Sequence, residues 1–75
     1  MRFKRLDVRP ILAAGGSPLD EVRRRLAGLK PAEGLVVQAP FLPSPLIEML
    51  RGEGYRSRIE RGRAGDWLVH FWRAG

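Results

Sequence analysis

The sequence predicts one two-layer α/β domain with the element order βαβαββ, and three observations carry that expectation. Two segments open on the same Ser-Pro pair, Ser17-Pro18 and Ser44-Pro45, and each precedes an apolar stripe at helical spacing. Short runs of alternating apolar and polar residues lie before, between and after them. The last two runs are joined by Gly62-Arg63-Ala64-Gly65, a hairpin signal. With 75 residues, the chain reads as a single domain, 1–75. A chain of this size buries only about 60% of the surface it exposes when unfolded, so its core must be used efficiently.

The first strand is expected over Phe3–Val8, with Leu6 and Val8 on one face and Asp7 and Arg9 on the other. Pro10 and Ala13-Ala14-Gly15-Gly16 end it. Ser17 then stands where a side chain caps a helix, and Pro18 suits the first helical position because its missing N–H is not needed there. Leu19, Val22, Leu26 and Leu29 recur at spacings of three, four and three, which makes one amphipathic stripe. Arg23-Arg24-Arg25 falls off that stripe and reads as a solvated face moderated by Asp20 and Glu21. The helix is expected to stop near Lys30-Pro31, since a residue before proline avoids helical geometry.

Leu35–Ala39 is a short apolar strand, followed by the loop Pro40–Pro43. The second helix carries Leu46, Ile47, Met49 and Leu50, is capped by Ser44, and ends at Gly52 or Gly54. Strands Tyr55–Arg61 and Asp66–Arg73 complete the chain. Right-handed crossovers place both helices on one face of the sheet and leave the other face open.

Composition excludes several function classes. With no cysteine there is no disulfide, thiolate metal site or persulfide chemistry, and His70 is the lone histidine. Neither a metal nor another cofactor is expected. No apolar run approaches the length of a membrane span, and Met1–Arg5 is followed by no signal-peptide core, so a cytoplasmic protein is expected. The net charge is +6, and twelve of the fourteen basic residues are arginine. That balance suits nucleic acid or another polyanion, although no aromatic-basic nucleic-acid motif accompanies it, and the plainer reading is that the charge only keeps the domain soluble.

Leu6-Asp7-Val8-Arg9, then a loop and a proline-started helix, resembles the opening of TusA (SirA-like) sulfur carriers. Lys30-Pro31-Ala32-Glu33-Gly34-Leu35-Val36-Val37 is similar to their helix-to-strand turn. The segment Ala39 to Leu46 and the lead-in Gly65-Asp66-Trp67 resemble a cysteine-less, uncharacterised relative group of that family, a domain of unknown function. The resemblance implies a mixed four-stranded sheet. It also implies a cysteine at the start of the first helix, where this chain has Gly15, Gly16, Ser17 and Pro18. That corner is vacated, and sulfur transfer by the family's mechanism is excluded.

Function is therefore sought on the open sheet face. Alternation puts Trp67, Val69 and Phe71 toward the helices and Leu68, His70 and Trp72 on the open side, near Arg56 and Arg58 and joined by Val36 and Gln38. An open face carrying tryptophan and arginine fits a contact surface for a protein partner or a second copy of the chain. The sequence thus reads as a non-enzymatic binding or accessory domain. The alternative is RNA or another polyanion held by the arginines, with Trp72 stacking on bases. A plainer reading has Trp72 folded half-buried over the sheet end. An enzyme using the Gly15-Gly16-Ser17 corner stands third, because no nucleophile–base pair is visible; His70 has no carboxylate that spacing guarantees.

Overall fold

The computed structural model describes residues 1–73 as a four-stranded mixed sheet with three helices. The elements are β1 (Arg2–Asp7), α1 (Arg9–Ala13), α2 (Pro18–Ala27), β2 (Glu33–Ala39), α3 (Ser44–Gly52), β3 (Tyr55–Arg61) and β4 (Trp67–Arg73). Sheet order is β1-β2-β4-β3, with β1 parallel to β2 and β4 antiparallel to both its neighbours. The two-layer α/β sandwich expected from the sequence is the fold observed.

Strand alternation builds the core. Leu6, Leu35, Val37, Ala39, Val69 and Phe71 all point to one side and are buried there against Val22 and Leu26 of α2 and Ile47 and Leu50 of α3. Leu35 and Phe71 face each other directly across the β2–β4 ladder, both with no exposed surface. Trp67 shares their face but is only partly covered, and the Arg61 guanidinium lies 4.5 Å from its ring centre. Ile59 is also on this side, yet 44% exposed, because it sits on the edge strand beyond the helix layer. Among the described residues no helix is long and apolar enough to cross a membrane.

Four expectations need correction. Arg9–Ala13 is a short helix rather than part of the loop expected after the first strand, and Asp7 organises its start. The Asp7 carboxylate accepts from the Arg9 backbone N–H at 3.0 Å and from the Arg9 guanidinium at 2.9 and 2.8 Å. Secondly, Ser17 occupies the cap position of α2 but its hydroxyl makes no capping hydrogen bond; the positive helix end is met instead by Asp20 and Glu21 in the first turn. Thirdly, Pro43 caps α3 in place of Ser44, since Ile47 N–H donates to the Pro43 carbonyl at 3.0 Å and draws Ser44 into the first turn. Fourthly, α2 ends at Ala27 rather than near Lys30, because Gly28 and Leu29 donate in tighter three-residue turns to the carbonyls of Arg25 and Leu26. Leu29 still packs against the core from outside the helix.

The arginine triple is engaged by carboxylates. Arg24 and Arg25 both bind Glu21, at 2.5 and 2.9 Å, while Arg23 reaches across to Glu53 at the end of α3. The Arg24 guanidinium, with Arg25 second, holds the Glu21 carboxyl below its ordinary range; Arg23 does the same for Glu53, and Arg9 for Asp7. The Lys30 backbone N–H lowers Glu33.

Two predictions follow from this packing. Phe71→Ala leaves a void at the centre of the core and should cost about 3–5 kcal/mol in urea denaturation, enough to unfold much of so small a domain. Lowered folded-state carboxyls contribute stability that is present above their ordinary values of 3.8 and 4.5. That contribution is lost as the pH falls further. The urea midpoint should therefore drop as the pH falls from about 4.5 toward 2, and Glu53→Gln should shrink the drop.

Candidate interaction face

The sheet side away from the helices is built by register. Arg56 pairs with Trp72, Arg58 with His70, and Glu60 with Leu68 across β3 and β4. On β2, Val36 lies opposite His70 and Gln38 opposite Leu68, and β1 adds Arg5 beside Val36 and Asp7 beside Gln38. The structure thus brings together all five residues of the expected face, Arg56, Arg58, Leu68, His70 and Trp72, and Val36 and Gln38 join them.

Phe3 is the member that sequence reasoning missed. Its ring packs edge-on against His70 at 4.8 Å between centroids and against Trp72 at 6.1 Å. Room for it comes from Gly34, where an added Cβ would fall 2.5 Å from a Phe3 ring carbon and 2.8 Å from the Phe71 carbonyl oxygen. The signal was readable in hindsight: a glycine inside a strand marks close approach by another group. Trp72 is half-buried, as the plainer reading of it had it, and shares the face with this aromatic cluster.

Charge surrounds the cluster. Arg56 makes no ion pair among the described residues, and Arg5 donates to Gln38 Oε1 at 3.1 Å. Glu60 stands 3.5 Å from Arg58 and 3.3 Å from His70 Nδ1. His70 therefore has a carboxylate neighbour that sequence spacing did not guarantee. The pairing is diagonal across the ladder, so direct cross-strand spacing could not reveal it. Asp7 is held by Arg9, and the buried Asp66 accepts a hydrogen bond from Gln38. Gly62 closes the hairpin by donating to the Asp66 carbonyl at 2.8 Å.

A scan against protein families matches residues 5–73 to an uncharacterized conserved protein family, DUF2249. The chain belongs to this family. The match runs from the middle of β1 to the end of β4, so every member of the face except Phe3 lies within the DUF2249 region. Searches of curated proteins and of solved structures found no match.

The Gly15–Pro18 corner has a structural use in this DUF2249 domain. Gly15 and Gly16 end α1 by donating to the carbonyls of Leu12 and Ile11, and Gly15 does so at a φ of +76°, which suits glycine. Ser17 starts α2, and Pro18 opens onto an apolar cavity. Among the described residues no group of three or more histidine, aspartate or glutamate side chains is placed to hold a metal ion.

Gly34→Ala should destabilise the domain by roughly 1–3 kcal/mol through overpacking. Adding Phe3→Ala should recover only part of that loss in urea denaturation, because the Phe71 carbonyl still obstructs the new methyl. A Gly34→Ala protein as stable as the parent would refute the packing described.

Proposed function

We propose that this domain is a non-enzymatic binding module that docks an acidic protein surface onto its open sheet face. The observation that carries the reading is an apolar and aromatic centre, Phe3, Val36, Leu68 and Trp72, beside the arginines Arg5, Arg56 and Arg58. Aromatic and arginine side chains are the usual anchors of protein interfaces, and a desolvated centre with charged surroundings is the common arrangement. The nearby carboxylates, Asp7 and Glu60, already face cations of their own chain. Two copies pressed face to face would oppose arginine to arginine, so a second copy is a poorer occupant than an acidic partner.

The kinship with sulfur carriers belongs to the same reading. Element order and the motifs around Asp7 and Pro31 support a TusA-like scaffold that has lost its thiol, and a carrier without its sulfur retains partner docking as its remaining use. Cytoplasmic residence is part of this proposal. A polyanion such as RNA is the alternative, favoured by the excess of arginine, and the test separates the two.

Immobilised domain would be used to capture material from a native lysate, with and without nuclease. A protein retained after nuclease treatment, and lost with Arg56→Glu/Arg58→Glu, is the expected outcome. Trp72→Ala should weaken that complex by about 2 kcal/mol, on the order of thirtyfold, in titration calorimetry. Capture that vanishes with nuclease and falls steeply with salt would assign the face to nucleic acid instead. Capture unchanged by the double glutamate variant would overturn the proposed face.

A further inference from the structure

On the other side of the domain, between the two longer helices and the sheet, lies a cavity of about 280 Å³. Val37 and Ala39 of β2 form its floor, Leu19 of α2 one wall, and Leu46 and Met49 of α3 the other, with Phe41 at the rim. No charged or polar side chain lines it. We propose that this cavity is a binding site for a small uncharged apolar ligand, a fused two-ring aromatic or a short hydrocarbon chain.

Size, chemistry and position each support that ligand class. An apolar cavity of about 150 Å³ accommodates benzene, so this one suits a molecule on the order of twice that size. With no polar side chain on its walls a charged group would lose hydration there, and the nearby Arg23 guanidinium, 3.0 Å from Met49 Sδ, is already paired with Glu53. The floor ends at Ala39, the carboxyl end of β2 beside its parallel neighbour β1, and ligands of open α/β sheets gather at that end of the strands.

The frame is stiff and the mouth is sticky. Pro18, Pro43 and Pro45 all border the cavity, each with a fixed φ, so little order is left to impose when a ligand enters. Phe41 and Met49 are 53% and 38% exposed, and the adjacent Leu42 is 37% exposed. Large apolar side chains grouped at the mouth of a cavity, rather than scattered, mark a surface that gains by being covered. The segment Ala39 to Leu46, distinctive in the sequence, contributes Ala39, Phe41, Pro43, Pro45 and Leu46 to this one site.

The test is an NMR titration of the labelled domain with 2-naphthol, and with naphthalene-2-sulfonate as the charged counterpart. Saturable shifts are expected at Leu19, Val37, Leu46 and Met49, with Val36 and Leu68 unmoved. The sulfonate should bind at least about tenfold more weakly, since its charge cannot be matched inside. Leu19→Trp fills the cavity and should abolish the shifts. Should that variant not fold, Met49→Glu at the exposed rim should weaken 2-naphthol at least about tenfold. Absence of saturable shifts up to the solubility limit would overturn the proposal, as would equal binding of the sulfonate. So would a dimeric mass in light scattering with these residues covered by a second copy. Because the probes touch only the helix side, either result leaves the docking role of the sheet face to its own experiment.

Discussion

Leu35 and Phe71 meet across the two central strands, and the arrangement of the rest depends on that contact. Both are fully buried, and they are direct partners in the β2–β4 ladder. A slip of one residue would exchange Phe71 for Trp72 in the core and turn the arginines of β3 toward the helices. The pair therefore fixes which side of each strand is wet. Both longer helices pack on that one side, so among the described residues no helix covers the second sheet face.

That constraint explains the division between the two surfaces. Helices α2 and α3 cover the core face, and the proline-bordered cavity lies between them and the sheet beside the carboxyl end of β2. On the other face no layer exists, and side chains cover one another. Phe3 lies over Gly34 and braces His70 and Trp72 edge-on, which reduces the apolar area shown to water without removing it. Arginines of two strands, Arg5 on β1 and Arg56 and Arg58 on β3, surround that remainder. An acidic partner would find both an apolar centre and matching charge.

Electrostatics are divided in the same way. The acids of the helix side are committed to cations there: Glu21 to Arg24 and Arg25, Glu53 to Arg23, Glu33 to Lys4. These exposed pairs fasten α2 to α3 and trim the helix ends, each with modest effect. The excess of positive charge is consequently left on β1, β3 and the hairpin, with Arg5, Arg56 and Arg63 outside any ion pair among the described residues. A chain with a net charge of +6 thus presents its charge unevenly.

Apart from the short helix α1, the order of elements was determined by the sequence alone, as were the two faces of β4 and the placement of Arg56, Arg58, Leu68, His70 and Trp72. Alternation and helical spacing are local properties, and local patterns suffice to write them. The absence of cysteine from the 75 residues was also legible there. Tertiary structure decided what depends on residues far apart in the chain. Phe3 joins the face only because Gly34 lies opposite it in the parallel ladder. Glu60 reaches His70 on a diagonal that cross-strand counting does not report. The cavity beside the Gly15–Pro18 corner gathers Pro18 and Leu19 with Phe41 and Met49, which meet only once α2 and α3 are both docked on the sheet. Short-range patterning says which way each side chain points; packing decides which neighbour it finds there.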